Sequence, residues 1–377
     1  MREYLEDLRQ SKRPAILVGG GARKAAPQII EFATKHHIPC FRTWNALDII
    51  TDDLPIYAGT VGTYGGPGRN FGIQNCDLLL SLGCRLSGRI TGGLPETFAR
   101  CAKKYLVDID PNNGNGMDAS EFMFQRRPVE KHFAGWLEKC RDWLKYDPVK
   151  PEMFTEDVHH YAFVRRLSEI LPSNAVIVYD TGGNAIMMGH CFKSKQGQRI
   201  FSSNGNTPMG FALCGAMGAW FADKTRPVIC LIGDGGMSMN IQELQTVVHY
   251  GINIKVFIIN NHILGNTKSY ERVNNMEEVG CGPDGYSCPD FTKITLAYGL
   301  RSFHIPQWKY VDTIIGCMLK TDEPCICDVP HHDFCTYEPR ISRWDVGIED
   351  AYPYLPRDEF RKNMIVEPLE GWECISS

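Results

Sequence analysis

A glycine-rich turn with a single carboxylate follows an apolar stretch in the second half of the chain. Asp234 lies in the sequence Gly-Asp-Gly-Gly directly after the apolar run 228–232, and Asn261 lies 27 residues further on, at the end of the next apolar run. The intervening length fits one helical crossover between neighbouring parallel strands, whose carboxyl ends face the same crevice. We therefore expect the Asp234 carboxylate and the Asn261 carboxamide to converge.

The chemistry that these two side chains offer is oxygen ligation of a metal. Mg²⁺ prefers near-octahedral oxygen ligation by one or two protein groups together with phosphate oxygens, and Asp234 and Asn261 could provide the protein part with a backbone carbonyl. Gly235 and Gly236 would let their amides approach a diphosphate. Because Asp-Gly is a common turn and Asn-Asn a common loop, the prediction depends on the spacing of the two fragments.

The same stretch resembles a known motif. A strand, Gly-Asp-Gly, a helix at 240–244 and a second strand ending in Asn260 and Asn261 are similar to the thiamine diphosphate motif of the acetolactate synthase-like enzymes. The resemblance implies that the metal is Mg²⁺, that Asp234 and Asn261 are its side-chain ligands, and that the carbonyl of Ile263 is its main-chain ligand.

The resemblance extends over most of the chain and implies further contacts with thiamine diphosphate. The loop 180–184 is similar to the family's diphosphate loop, with Asn184 where the family has histidine. Met209 matches the methionine that supports the bent coenzyme, although an ordinary core methionine is the alternative interpretation. The cofactor-binding residues implied in this way are Thr181, Gly182, Gly183, Asn184, Met209, Gly233, Asp234, Gly235, Gly236, Asn261, Ile263 and Gly265.

Residues in the first third of the chain suggest a second nucleotide-type site. Three glycines at 19–21 follow a strand-like run, and by themselves they equally indicate a tight turn. The stretch 76–92 is similar to the arginine-containing loop that binds FAD in acetolactate synthases, and two arginines with a hydroxyl could bind a pyrophosphate. Solvated surface arginines are the alternative. The FAD-binding residues that this resemblance implies are Gly19, Gly20, Gly21, Arg85, Arg89, Thr91 and Asp108.

Short β-branched or leucine-rich runs alternate with amphipathic helical stretches along the chain, which is the pattern of βαβ units around a parallel sheet. We predict an α/β protein with two doubly wound parallel-sheet domains, a Rossmann-like central domain and a thiamine diphosphate-binding domain, followed by an extended C-terminal tail. The predicted boundaries are 1–130 for the central domain, 131–154 for a helix and linker, 155–336 for the second domain and 337–377 for the tail. The predicted strands are 15–18, 77–82, 105–109, 175–179, 228–232 and 254–259, and the predicted helices include 26–36 and 240–250.

Composition excludes several classes of function. The 377 residues are 22% charged and 43% hydrophobic, with 40 basic and 44 acidic side chains, so neither disorder nor attraction to nucleic acid or an anionic membrane is indicated. The apolar runs have the length of strands and are too short to span a membrane, and the first 13 residues lack the order of a signal peptide. The 15 cysteines are expected to be reduced, which fits a cytoplasmic protein.

Complete enzymes of this family begin with a pyrimidine-binding domain whose glutamate activates the coenzyme, and nothing in residues 1–377 resembles that domain. The resemblance therefore implies that this chain contains no catalytic residue of its own and needs a partner chain that carries the glutamate. A homo- or hetero-oligomer is expected. Asn266, Thr267 and Tyr270 also depart from the family's usual residues, so the resemblance leaves the acceptor substrate open.

Three functions follow from these observations. The leading hypothesis is a thiamine diphosphate- and Mg²⁺-dependent carboligase or decarboxylase subunit that acts on a 2-oxo acid, with pyruvate as the expected substrate. The second is a non-catalytic, truncated cofactor-binding protein or regulatory subunit. The third, an NAD-type dehydrogenase, does not explain the pairing of Asp234 with Asn261 and lacks a complete dinucleotide fingerprint.

Overall fold

The computed structural model describes residues 2–124 and 130–373, and the chain divides into two compact units. The first unit contains residues 1–148 and 338–377, and the second contains residues 149–337. In the described parts of the chain, no helix has both the length and the apolar character needed to cross a membrane.

The first unit is built on a parallel sheet of five strands in the order β3-β2-β1-β4-β5. Its strands are β1 (Pro14–Val18), β2 (Cys40–Arg42), β3 (Tyr57–Thr60), β4 (Leu78–Leu82) and β5 (Lys103–Val107). Its helices are α1 (Arg2–Gln10), α2 (Ala26–His36), α3 (Pro67–Gln74), α4 (Gly88–Thr91), α5 (Ala119–Phe124), α6 (Ala134–Asp142) and, near the C-terminus, α15 (Arg357–Asn363).

The elements of this unit for which the sequence predicts bounds lie at or close to those positions. Helix α2 has the predicted bounds, with Pro27 in its first turn and His37 in the left-handed conformation after its last residue. Strand β5 begins and ends two residues earlier than predicted, because its pairing with β4 joins Leu78 to Lys103 and Leu82 to Val107. Ile109, which the prediction included in that strand, is 71% exposed.

Residues after 337 belong to the first unit and contribute to its core. Ile348, Leu355 and Phe360 are at most 4% exposed and pack in the same apolar cluster as β1 and β4. The segment also contains α15, so it is not extended throughout, as the prediction of an extended tail implied. Burial of these apolar side chains supplies the free energy that fixes the segment on the first unit.

The second unit contains a parallel sheet of six strands in the order β10-β11-β9-β8-β6-β7. Its strands are β6 (Val176–Tyr179), β7 (Arg199–Phe201), β8 (Val228–Gly233), β9 (Ile254–Asn260), β10 (Arg301–His304) and β11 (Cys325–Pro330). Its helices are α7 (His160–Ile170), α8 (Gly183–His190), α9 (Phe211–Ala222), α10 (Asp234–Met239), α11 (Leu244–Tyr250), α12 (Gly265–Val273), α13 (Phe291–Ala297) and α14 (Val311–Lys320).

The three strands at the centre of this unit position the site. All residues of β6 and β9, and five of the six in β8, are buried, which is typical of a parallel sheet covered on both faces. The register pairs Tyr179 with Leu231 and Gly233 with Ile259, so the three strands end at the same edge. Strand order changes direction beside β6, since β7 lies on one side of it and β8 on the other, and such a switch point opens a crevice.

The predicted helix at 240–250 is divided in the structure. Residues 241–243 form a 3₁₀ turn, α11 follows, and Gly251 ends it in the left-handed conformation with φ of 58°. The parallel-sheet α/β architecture of both units is the fold class that the sequence predicts.

Candidate functional site

A cavity of about 330 Å³ lies at the carboxyl edge of the second sheet. It is lined by residues that follow β6, β8 and β9 and by the starts of the helices after them. The structure brings together in this one cavity all twelve residues that the sequence predicted as cofactor-binding, namely Thr181, Gly182, Gly183, Asn184, Met209, Gly233, Asp234, Gly235, Gly236, Asn261, Ile263 and Gly265.

Asp234 is the first residue of α10 and is only 3% exposed. Its Oδ2 atom is buried and has no hydrogen-bond partner among the described residues. Burial disfavours the charged form and raises the pKa of this carboxyl to about 6, against smaller opposing effects of nearby hydrogen-bond donors. A buried carboxylate oxygen without a donor is a position at which a cation would be stabilised.

Two amide side chains lie around the same cavity. Asn184, on α8, is 6% exposed, and its buried Oδ1 atom has no hydrogen-bond partner in the part of the chain that the structure describes. Asn261 follows β9, its Nδ2 donates to the carbonyl of Phe334 at 2.7 Å, and its Oδ1 accepts a long 3.4 Å hydrogen bond from the amide of Ile263. The predicted ligands Asp234, Asn261 and Ile263 therefore lie on adjacent strand ends and line one space.

Helices α8 and α12 begin at the cavity wall, as α10 does at Asp234. Gly183 is the first residue of α8 and Gly265 is the first residue of α12, and both line the cavity. The first amide groups of a helix have no partner within the helix and carry the positive end of its dipole. This edge of the sheet can therefore stabilise an anion as well as a cation.

Asp180 connects the segments that surround the cavity. It follows β6, is 1% exposed, and its carboxylate accepts hydrogen bonds from the amides of Thr181 at 2.9 Å and Gly210 at 2.8 Å. Burial raises the pKa of Asp180, while these two donors lower it. The second bond holds the loop that carries Met209 next to the first turn of α10, where a Cβ placed at Gly235 would lie 2.9 Å from Met209 Cε.

Met209 is not an ordinary core methionine. Its side chain is 38% exposed and lines the cavity, although the sequence left burial in the core open as the alternative. An exposed thioether beside a buried carboxylate is free to contact a ligand.

Several cavity residues were not assigned to the site from sequence. Asp180 follows a strand at the same edge as Asp234, so the strand-end rule that identified Asp234 could also have found it. His160 Nε2 lies 3.0 Å from the carbonyl oxygen of Val329, and because a carbonyl only accepts, Nε2 carries the proton and donates it to this bond. The remaining unassigned lining residues are Met187, Thr207, Ile259, Leu264, Asn266, Thr267 and Tyr337.

The residues predicted to bind FAD lie in the first unit, at the carboxyl ends of β1, β4 and β5. Gly19 packs so closely on the residue after β4 that an added Cβ would lie 2.1 Å from the carbonyl oxygen of Gly83. Arg89 lies with its guanidinium carbon 5.8 Å from the ring centre of Trp344, and Thr91 Oγ1 bonds to main-chain carbonyls.

The other FAD candidates are placed as follows. Arg85 is exposed, Gly20 and Gly21 begin the 3₁₀ turn after β1, and Asp108 accepts a hydrogen bond from the amide of Asp110 at 3.0 Å. FAD binding at this edge stays a prediction.

Comparison with known proteins supports the assignment of both units. Residues 1–123 match the family model of the thiamine pyrophosphate enzyme central domain, and residues 180–329 match that of the thiamine pyrophosphate enzyme C-terminal TPP-binding domain. Thiamine pyrophosphate is the same compound as thiamine diphosphate.

Similar curated proteins include acetolactate synthase large subunits. The chain is 27% identical over 334 residues to the acetolactate synthase isozyme 2 large subunit of Escherichia coli K12, which covers 85% of this chain and 60% of that protein. It is 30% identical over 350 residues to the probable acetolactate synthase large subunit of Methanocaldococcus jannaschii, which covers 85% of this chain and 58% of that protein.

The chain thus spans about three fifths of the length of the curated relatives it matches. Its two sheets correspond to the two matched domains, and the TPP-binding match includes the segments that follow β6, β8 and β9 around the cavity. The chain therefore belongs to the thiamine pyrophosphate enzymes, of which it contains a central domain and a C-terminal TPP-binding domain, and it is similar to acetolactate synthase large subunits.

Proposed function

We propose that this chain binds thiamine diphosphate together with Mg²⁺ in the cavity of its second unit, as a subunit of a carboligase or decarboxylase that acts on a 2-oxo acid such as pyruvate. The observation that carries the proposal is the pair of buried, unpartnered oxygens, Asp234 Oδ2 and Asn184 Oδ1, in a cavity at which α8 and α12 begin. Buried oxygens that accept no hydrogen bond stabilise a bound cation, and the first amides of a helix stabilise a bound anion. A metal diphosphate satisfies both.

The residues present fit Mg²⁺. The Asp234 carboxylate and the Asn261 side-chain oxygen would be its protein ligands, with the carbonyl of Ile263, and all three are hard oxygen donors. One carboxylate leaves the metal with net positive charge, so the diphosphate oxygens of the coenzyme would complete its coordination. A bound cation would also oppose the effect of burial, which is the largest cause of the raised pKa of Asp234.

The residues present also fit the diphosphate. The backbone amides at the starts of α8 and α12 would donate to its oxygens, and the glycines at 183, 235, 236 and 265 line the cavity without side chains of their own. Met209 would contact the organic part of the coenzyme through its exposed side chain.

When bound, thiamine diphosphate supplies an electron sink for decarboxylation of a 2-oxo acid. The part of this chain is to hold the charged end of the coenzyme and to orient the remainder. The proposal includes a pyrimidine-binding domain on a partner chain, whose glutamate would activate the coenzyme. FAD in the first unit is a further element of the proposal, supported by the positions of Gly19 and the exposed Arg85 at adjacent strand ends.

The test is titration calorimetry of thiamine diphosphate and Mg²⁺ with the wild-type chain and an Asp234→Asn variant. We expect at least tenfold weaker binding by the variant, because the amide keeps the size of the side chain but removes its charge. Asp322→Asn is the matched control, since Asp322 is exposed and outside the cavity, and it should bind as the wild type does. Equal affinity of Asp234→Asn and the wild type would refute the assignment.

Catalysis is tested separately. Pyruvate consumption is measured with thiamine diphosphate, Mg²⁺ and FAD, with and without a candidate pyrimidine-domain chain. Turnover only in the presence of the second chain supports the split enzyme. Coenzyme binding without turnover in both mixtures would instead support the non-catalytic cofactor-binding protein.

A further inference from the structure

Tyr337 lies between the starts of α8 and α12 at the cavity wall. A Cβ added to Gly183 would lie 2.3 Å from its hydroxyl oxygen, and a Cβ added to Gly265 would lie 2.7 Å from the same atom. These two glycines are 82 residues apart in sequence, and each is the first residue of its helix, α8 or α12. One phenol oxygen therefore lies against both helix starts.

The position of Tyr337 is fixed by the segment that precedes it. The amides of His331 and Asp333 donate to the carbonyls of Asn260 and Asn261, at 2.9 and 3.0 Å, so this segment is tied to the end of β9. Asn261 Nδ2 also donates to the carbonyl of Phe334. The segment is thus anchored to the strand end that carries the proposed metal ligand Asn261.

The ring of Tyr337 is held by aromatic packing. It is 4% exposed, and its centre lies 5.6 Å from that of Phe334 in an edge-to-face arrangement. Phe334 in turn packs against the rings of His159, His160 and His331, at 5.0 to 5.4 Å. A buried and packed ring places its hydroxyl with little loss of conformational freedom on ligand binding.

We propose that the Tyr337 hydroxyl is a third donor for the diphosphate, acting beside the amide groups that begin α8 and α12. At neutral pH almost all oxygens of a diphosphate are hydrogen-bond acceptors. A phenol hydroxyl can donate to such an oxygen without introducing a charge. The inference rests on the proposed function, which it deepens by naming a side chain that contacts the anion and not the metal.

The test compares Tyr337→Phe with the wild type by titration calorimetry, using inorganic pyrophosphate and thiamine diphosphate as separate probes in the presence of Mg²⁺. Phenylalanine keeps the ring and its packing on Phe334 and removes only the hydroxyl. We expect about tenfold weaker binding of both probes, since a hydrogen bond to a charged group is lost. Tyr270→Phe is the matched control, because Tyr270 lies on α12 but is 59% exposed and outside the cavity lining.

Thermal unfolding without ligand separates binding from packing. The inference predicts that Tyr337→Phe unfolds within a few degrees of the wild type while its affinity falls. Unchanged affinity for both probes would overturn the inference and leave the proposed function standing if Asp234→Asn still weakens binding. A loss of stability that accounts for the loss of affinity would also overturn it. Failure of the wild-type chain to bind either probe would overturn the inference and the proposed function together.

Discussion

The buried carboxylate of Asp180 accepts a hydrogen bond of 2.8 Å from the backbone amide of Gly210. This bond joins the end of β6 to the loop that carries Met209, 29 residues further along the chain. The same carboxylate oxygen lies where a side chain at Gly236 would have to be, since an added Cβ would be 2.1 Å from it. One acidic side chain therefore sets the relative positions of three segments of the cavity.

Asp180→Ala is expected to destabilise the second unit by about 2 kcal/mol, because the buried amide of Gly210 and the partly buried amide of Thr181 lose their acceptor. Urea denaturation measures the change. Asp223→Ala is the control, since the exposed Asp223 accepts from Thr225 in a surface turn and should change stability much less. An Asp180→Ala variant as stable as the wild type would show that the Asp180 bonds contribute nothing.

Gly236→Ala is expected to cost about 1–3 kcal/mol of stability, since the methyl group would displace the buried Asp180 carboxylate. Gly218→Ala provides a contrast on α9, where nothing lies within 4 Å of the added methyl group. Alanine there should be neutral or stabilise by about 0.5–1 kcal/mol, because it restricts the unfolded chain. Thermal melting of the two variants side by side tests both values, and an equal response would contradict the close packing at Gly236.

The pH dependence of stability should include a contribution from His160. Burial lowers the pKa of this fully buried ring to about 3, and that of His159 to about 4. The unfolded chain therefore takes up protons below about pH 6.5 that the folded chain does not, so stability falls as pH drops from about 6.5 towards 3. Each such ring contributes at most about 1.4 kcal/mol per pH unit.

The raised pKa of the buried Asp234 has the opposite effect on stability, which rises as pH falls from about 6 to the ordinary pKa of the carboxyl. The contribution of His160 is therefore isolated by comparing a His160 variant with the wild type. His160→Gln should lose less stability than the wild type when urea denaturation is repeated at pH 6.5 and pH 5. His249→Gln, at an exposed position on α11, should follow the wild type. Identical pH slopes for His160→Gln and the wild type would disprove the contribution.

Glu349→Gln is expected to destabilise the first unit by about 2 kcal/mol. Glu349 is 1% exposed and accepts hydrogen bonds from Arg100 at 2.7 Å and from Gln74 at 2.6 Å. The amide would leave the Arg100 charge without its partner in a largely buried position. The exposed Glu370→Gln serves as the control, and denaturation curves should separate the two variants; if they coincide, the 338–373 segment is not held by this contact.

The parallel α/β class, the pairing of β8 with β9 and the position of Asp234 could be predicted because they depend on local signals. Apolar runs of strand length, followed by glycine and a polar residue, place side chains at the carboxyl edge of a parallel sheet, and the register of β8 and β9 agrees with that expectation. The shift of β5 could not be predicted, because pairing with Leu78 and Leu82 decides where that strand ends.

The sequence by itself indicated two parallel α/β units and the pairing of Asp234 with Asn261, since periodicity and strand-end chemistry are written in neighbouring residues, and its resemblance to a known family indicated further residues of the cavity. Only the tertiary structure decided that Tyr337 lies against Gly183 and Gly265, that Oδ1 of Asn184 and Oδ2 of Asp234 are buried without partners, and that the chain after residue 337 joins the first core. These relationships join residues far apart in sequence, and burial and packing in the folded chain create them.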